Sequence, residues 1–156
     1  MDRPISGRGG RYLQRVDSYP AIALGIDLHL TPATEGGRSL PLLNLSDRTS
    51  IYRPNWGLPS MTPPEQSGAP VFAFLRDRVG PGESAHAVIV TLFPEMVDQW
   101  NLEVEQGVVL PMYEGARVRG YGTVLWREHK TLPLNEAYEH RFLGWLRNPT
   151  EPIGHS

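Results

Sequence analysis

Three side chains near the start of the sequence have the types needed for chemistry: Asp27, His29 and Glu35. Residues two positions apart share one face of a β-strand, so a strand here would place the Asp27 carboxylate beside the His29 imidazole. With Glu35 nearby, the three could bind a metal ion or supply an acid/base pair to a small hydrolase. Local structure brings only two of them together, whereas a metal needs three converging ligands. We therefore expect the polar face of a strand and keep a hydrolase or metal-dependent enzyme as an alternative.

A second group of candidate residues is cationic and belongs to residues 107–127, which read GVVLPMYEGARVRGYGTVLWR. Two β-type runs meet at Glu114-Gly115, and glycine supplies the positive φ of a tight turn, so we predict a hairpin that turns at Gly115. Taken in steps of two, the second run has one dry face and one wet face. The dry face holds Val118, Gly120, Gly122, Val124 and Trp126, and the wet face holds Arg117, Arg119, Tyr121, Thr123 and Arg127. The wet face is a candidate surface for an acidic protein or a phosphate backbone.

Apolar periodicity predicts the elements that must position these groups. Residues 22–30 alternate between apolar and polar and form the first predicted strand, while residues 85–93 are apolar on both faces, as in a strand covered on both sides. Shorter strands are predicted at 51–53 and 71–76, because the prolines between these segments exclude a helix. After Thr131 the spacing becomes helical and predicts one amphipathic C-terminal helix, with a stripe of Leu134, Tyr138, Phe142, Trp145 and Leu146.

Composition and charge limit the classes of function. The 15 Lys+Arg residues against 17 Asp+Glu give a formal net charge of -2, so no global basic field attracts nucleic acid. The 156 residues include no cysteine, which excludes a disulfide framework and a thiolate metal site and fits a reducing compartment. No apolar run has the length of a membrane span or a secretory signal, so we expect a cytoplasmic protein without a membrane partner. We expect a flexible basic arm at 1–20, a β-barrel domain at 21–130, and a C-terminal helix and tail at 131–156.

Five short motifs follow one another in a recognisable order. They are Thr34-Glu35-Gly36-Gly37-Arg38 with Pro41, Tyr52-Arg53-Pro54, Pro81-Gly82-Glu83, Phe93-Pro94, and Tyr113-Glu114-Gly115 with Arg117, Gly120 and Gly122. Over residues 22–127 this order resembles the third, C-terminal β-barrel domain of bacterial elongation factor Tu. The resemblance implies an all-β fold, a small closed antiparallel barrel of about six strands, here followed by one amphipathic helix.

The resemblance also identifies what the chain lacks. The sequence has no GxxxxGK[ST] phosphate loop, so no GTPase accompanies the barrel. In the translation factor, polar and basic side chains around these motifs help to hold tRNA. At the aligned positions this chain has Asn55, Phe93 and Tyr113 instead of a glutamine, a lysine and a basic residue. Each lost cation weakens binding to phosphate, so tRNA delivery is not expected.

We therefore predict a non-catalytic binding module that recognises a macromolecule, a protein rather than a nucleic acid, and that needs no cofactor or metal. Two roles fit this prediction, an immunity or antitoxin partner and a translation-associated regulator, and an RNA- or tRNA-binding barrel is the alternative. Trp56 and Trp100 fall in predicted loops, where a large aromatic side chain is a candidate contact anchor. The predicted partner-binding residues are Gly37, Arg38, Arg53, Trp56, Gly115, Arg117, Arg119 and Tyr121.

Overall fold

The computed structural model describes residues 18–44, 52–133 and 136–149 of the chain. Within these ranges the fold is mostly antiparallel β-structure, as predicted, with short helices. The strands are β1 (Tyr19–Leu30), β2 (Leu42–Leu43), β3 (Asn55–Trp56), β4 (Ser67–Gly68), β5 (Val71–Ala73), β6 (Arg78–Val79), β7 (Ser84–Val90), β8 (Val109–Glu114) and β9 (Arg117–Leu132). The α-helices are α1 (Val97–Glu103) and α2 (Glu136–Arg147), and 3-10 turns cover Ala33–Glu35 and Pro94–Met96. Neither α-helix of the described ranges has the length and apolar content needed to cross a membrane.

The main sheet has seven strands in the order β4-β3-β8-β9-β1-β7-β5, and β2 pairs with β6 in a small second sheet. The long strand β1 lies near the middle, between β7 and β9, and pairs antiparallel with both. It begins at Tyr19, so the last residues of the predicted arm belong to a strand; residues 1–17 lie outside the described ranges. The hairpin predicted at 107–127 is confirmed, since β8 and β9 pair across a turn in which Gly115 has a φ of +60°.

The outermost strands of this order, β4 and β5, follow each other in the sequence. The segment 68–71 that joins them donates backbone hydrogen bonds to the carbonyls of Tyr52, at 2.9 Å, and Pro54, at 3.4 Å. Carbonyls of the same segment accept hydrogen bonds from the backbone N–H groups of Val90, at 3.2 Å, and Leu92, at 3.1 Å. The segment therefore has backbone partners on both sides, one before β3 and one at the end of β7.

The main sheet carries an apolar core on each face. We call the face with the larger core the inner face; its core includes Ile22, Leu24, Ile26, Leu28, Leu30, Trp56, Trp100, Leu110, Met112 and Val124. On the opposite, outer face, α2 packs Phe142, Trp145 and Leu146 against Ala21, Ala23, Val88 and Val90. The prediction that the strand at 85–93 is covered on both sides is confirmed, because Ile89 belongs to the inner core and Val88 to the core beneath α2.

The predicted dry face of the second hairpin strand is wrong at Trp126, because β9 contains a β-bulge. The register between β1 and β9 shifts because Gly25 pairs with Trp126 while Ile26 pairs with Val124. The extra residue, Leu125, reverses the alternation, so Trp126 lies on the outer face beneath α2 rather than with Val124 on the inner face. There its indole stacks on the Phe142 ring, with 5.6 Å between the ring centroids.

Candidate functional site

The three candidate catalytic residues do not form a metal site in the described part of the chain. Asp27 and His29 are exposed on β1, where Asp27 pairs across the strands with His86. The His29 Nδ1 atom lies 2.8 Å from the Ser84 hydroxyl, so this imidazole has a partner on the neighbouring strand. Glu35 is exposed in a 3-10 turn. Within the described ranges, no three His, Cys, Asp or Glu side chains are grouped so that they could hold a metal ion.

Two predicted contact residues, Arg38 and Arg119, meet instead around one carboxylate, that of Glu114 at the end of β8. Glu114 Oε2 forms an ion pair with the Arg38 guanidinium and accepts a 2.5 Å hydrogen bond from the Tyr52 hydroxyl. Its Oε1 lies 3.6 Å from Arg119 Nε. The Arg38 guanidinium also stacks over the Tyr52 ring, 5.2 Å from its centroid. We call Arg38, Tyr52, Glu114 and Arg119 the Glu114 cluster.

The Glu114 cluster fixes the glycine loop that follows β1. Arg119 Nη1 donates hydrogen bonds to the carbonyls of Gly36, at 2.6 Å, and Gly37, at 3.0 Å. A Cβ at residue 37 would lie 1.8 Å from the Thr31 carbonyl oxygen, so only glycine allows this close backbone approach. The guanidinium groups of Arg38 and Arg119 are therefore engaged within the protein, and the Glu114 carboxylate offsets one of their two positive charges.

The pKa of the Tyr52 hydroxyl, within the cluster, is raised above its ordinary value. Burial is the main cause, and the hydrogen bond to Glu114 raises that pKa further. The positive charge of Arg38 acts in the opposite direction with less effect. Tyr52 therefore remains a protonated donor to the Glu114 carboxylate across the physiological pH range, as a structural contact requires.

The remaining predicted contact residues are divided between surface and core. Arg53 and Arg117 are exposed, and Tyr121 is 44% exposed on β9. The Gly115 carbonyl accepts a 2.9 Å hydrogen bond from the Gln66 side chain, which ties the hairpin turn to the segment before β4. The structure brings Gly37, Arg38 and Arg119 together and leaves Arg53, Arg117 and Tyr121 as exposed side chains.

The two tryptophans that were predicted in loops are both buried. Trp56 belongs to β3, is 0% exposed, and donates its indole N–H to the Ala69 carbonyl at 2.9 Å. Trp100 belongs to α1, which was not predicted, and donates its indole N–H to the Ser67 hydroxyl at 2.7 Å. Their indoles fill the inner core and satisfy their only polar group there, so neither side chain presents a contact anchor at the surface.

The three positions at which this chain departs from the translation-factor pattern lie side by side. Asn55 on β3 pairs with Tyr113 on β8 and, on its other side, with Gly68 on β4. A Cβ at Gly68 would lie 3.2 Å from Asn55 Oδ1 and 3.3 Å from Phe93 Cε2, so Phe93 is next in the row. The row, which we call the outer strip, is uncharged, and Phe93 is 45% exposed within it.

A surface groove adjoins the outer strip at Tyr113. Its volume is about 290 Å³, and one wall is the loop 57–65 while the other is β8. Most lining residues are apolar in type, but polar and apolar atoms share the exposed surface of the groove about equally. The lining residues are Gly57, Leu58, Pro59, Met61, Pro63, Glu65, Val109, Pro111 and Tyr113. Val109, 54% exposed, opens to solvent on the β8 wall.

Helix α1 supports the loop wall of the groove. Glu103 at the end of α1 accepts hydrogen bonds from the Ser60 hydroxyl, at 2.6 Å, and from the Ser60 backbone N–H, at 2.7 Å. These hydrogen bonds lower the pKa of the Glu103 carboxyl, and the hydrogen bond from the hydroxyl has the larger effect. The carboxylate therefore stays ionised to lower pH. Gln99 adds a 2.9 Å hydrogen bond to the same carboxylate.

Sequence reasoning missed the two features around which this surface is built. Glu114 was treated only as part of a turn, although an acidic residue beside a turn and close to Arg117 and Arg119 is a signal for internal ion pairs. The groove depends on Pro59 and Pro63, which the pattern explained only as breaks in regular structure, and on Pro111, which was treated only as part of the first run of the hairpin.

The sequence matches no protein-family model and no curated protein. The resemblance to the elongation-factor domain therefore stays a prediction from the motifs and their order.

Proposed function

We propose that this protein is a non-catalytic binding module with a barrel like the third domain of elongation factor Tu, and that it acts by recognising another protein. The observation that carries the proposal is the outer strip with its groove. At the positions where the resemblance calls for polar and basic groups, the chain has Asn55, Phe93 and Tyr113, and these lie side by side next to the groove with no charge among them. Phe93 is 45% exposed, whereas Tyr113 is buried. An exposed aromatic side chain without cations beside it favours protein contacts over phosphate contacts.

The barrel within this proposal requires that the main sheet close on itself. The backbone hydrogen bonds of segment 68–71 support closure, because they join the chain before β3 to the end of β7. If β4 and β5 are counted as one interrupted strand, the closed order would be β3-β8-β9-β1-β7, then β5 with β4, and back to β3. Closure removes exposed sheet edges, which otherwise invite aggregation.

The charge distribution favours a protein partner over RNA. Arg38 and Arg119 are engaged by Glu114 and by the Gly36 and Gly37 carbonyls, so the Glu114 carboxylate offsets one of the two charges and the geometry of both guanidiniums is fixed within the protein. RNA affinity is supplied largely by cations that neutralise phosphates. Immunity or antitoxin partner and translation-associated regulator remain the two roles within the proposal, in the cytoplasmic location that a sequence without cysteine fits.

Reciprocal capture tests the function. The affinity-tagged full chain is used as bait in extracts of its own host, with and without ribonuclease, and each captured protein is then tagged and used as bait in turn. We expect one protein to be recovered in both directions, after ribonuclease treatment, and to bind the purified chain in isothermal titration calorimetry. Recovery that ribonuclease abolishes would contradict a protein partner and support the RNA-binding alternative.

A further inference from the structure

The groove lies in a part of the chain from which cations are missing. Between Arg53 and Arg76 the sequence has no Arg or Lys, and none occurs between Arg78 and Arg117. The second interval holds only acidic charges, those of Glu83, Glu95, Asp98, Glu103, Glu105 and Glu114. Both walls of the groove, the loop 57–65 and β8, come from these intervals.

One carboxylate, that of Glu65, lines the groove, and two more lie on segments next to its walls. Glu103 is held against the loop 57–65 by its hydrogen bonds to Ser60. Glu105 is exposed in the turn before β8, where its carbonyl accepts a 3.1 Å hydrogen bond from the N–H of Val108. The ionised side chains of these segments are all acidic.

One cation, Arg127, contacts the C-terminal end of helix α1, which carries Glu103. Its guanidinium donates to the carbonyls of Asn101, at 2.5 Å, and Val104, at 2.9 Å, and is partly buried by these contacts. It therefore satisfies the last carbonyls of α1.

The dimensions of the groove indicate what can occupy it. A volume of about 290 Å³ lies at the lower limit of ligand pockets, which begin at about 300 Å³. Such a space suits one or two apolar side chains of a polypeptide better than the broad face of a folded domain. A negative margin attracts positive charge and repels phosphate, so the complementary occupant is basic.

We propose that the groove binds a basic polypeptide segment of a partner protein, with an apolar side chain between the loop 57–65 and Val109 and with lysine or arginine side chains facing Glu65, Glu103 and Glu105. This inference rests on the proposed function, because it specifies the chemistry of the partner.

An unbiased peptide selection tests the inference. The purified full chain selects binders from a displayed library of random peptides, and enriched peptides are synthesised and titrated by fluorescence polarisation. We expect enriched peptides to share an apolar residue flanked by Lys or Arg and to bind less tightly as salt is raised. A selection that enriches no peptide, or enriches peptides without basic residues, would overturn the inference.

Two variants with matched controls locate the contact. Val109→Glu replaces apolar contact surface with a carboxylate that the peptide's apolar side chain would desolvate without pairing it, and it should weaken peptide binding about tenfold or more. Leu43→Glu is its control, because Leu43 is 56% exposed on β2 and does not line the groove. Glu105→Lys should weaken binding about threefold to tenfold through repulsion, whereas Glu35→Lys, outside the groove, should not. Equal binding by Val109→Glu and Leu43→Glu would place the peptide elsewhere and refute the inference.

The outcomes separate this inference from the proposed function. If the protein recovered by reciprocal capture binds Val109→Glu as tightly as the wild type, and no basic peptide is selected, the inference fails and the function stands. If no protein is recovered in both directions, the function fails whatever the peptides do. A single-stranded RNA oligonucleotide that displaces the selected peptide would show that the groove margin accepts phosphate, which contradicts the inference.

Discussion

Removal of the Glu114 carboxylate tests the cluster that holds the glycine loop on the hairpin. In Glu114→Ala, the Arg38 guanidinium loses its ion pair and the Tyr52 hydroxyl loses its acceptor. Hydrogen bonds to charged groups contribute about 1.5–3 kcal/mol each, and the partial exposure of these side chains lowers that figure. We expect a loss of about 2–3 kcal/mol in the free energy of unfolding.

Thermal and chemical denaturation measure this loss. For a chain of this size, about 1 kcal/mol shifts the midpoint temperature by about 2–4 °C, so the midpoint should fall by about 4–12 °C. Glu114→Gln retains an oxygen acceptor without the charge and should lose less than Glu114→Ala. Arg117→Ala, an exposed change on the same hairpin, is the control and should leave the midpoint nearly unchanged.

The local result matters as much as the global one. Because Arg119 also contacts the carbonyls of Gly36 and Gly37, loss of Glu114 should shift the amide NMR signals of that loop. A variant that unfolds within about 0.5 kcal/mol of the wild type, with an unchanged loop spectrum, would refute the structural role of the cluster.

Three further predictions follow from the packing and the perturbed groups. In Gly25→Ala the new Cβ would lie 2.2 Å from Trp126 Nε1, and the indole is held beneath α2, so unfolding calorimetry should show destabilisation of about 1–3 kcal/mol. Ser60→Ala should raise the pKa of Glu103 toward its ordinary value, as measured by carbon-13 NMR titration. A lowered carboxyl pKa contributes stability that is lost as the pH falls through that pKa. The free energy of unfolding of Ser60→Ala should therefore decrease less steeply in acid than that of the wild type. Because the pKa of Tyr52 is raised, its contribution to stability should be fully present below pH about 10, the ordinary tyrosine pKa, and should be lost at higher pH. Tyr52→Phe should remove this alkaline pH dependence from the denaturation midpoints.

Short-range patterns of apolar residues and glycine were sufficient to predict two strands, one hairpin turn and the C-terminal helix. Alternation predicted β1, a run that is apolar on both faces predicted the covered strand β7, and the glycine after Glu114 predicted the hairpin turn. Helical spacing predicted α2, in which Phe142, Trp145 and Leu146 are buried; the side chains of Leu134 and Tyr138 lie outside the described set.

Contacts between distant parts of the chain decide the features that local patterns could not predict. Trp56 and Trp100 are in segments without clear periodicity, and their burial depends on Ala69 and Ser67, which lie 13 and 33 residues away. The short strand expected at 51–53 lies instead at Asn55–Trp56, because it is defined by pairing with β4 and β8.

The candidate site shows the same division. In the Glu114 cluster, Arg38 and Glu114 are 76 positions apart in the sequence, and no local sequence pattern predicts their contact. The resemblance identified Asn55, Phe93 and Tyr113 as a departure, but their adjacency required the register of β3 with its neighbours. One extra residue in β9, Leu125, was enough to move Trp126 to the other face.

The most direct test of the account is a footprint of the recovered protein partner on the isotope-labelled full chain, read from amide NMR shifts and hydrogen exchange. We predict that the largest changes fall in the loop 57–65 and along β8 at 109–113, and that Val109→Glu abolishes them while Leu43→Glu does not. Changes confined to the glycine loop at 36–38 and to Arg117 would contradict the account, because they would place recognition at the turn of the last hairpin and on the glycine loop rather than in the groove.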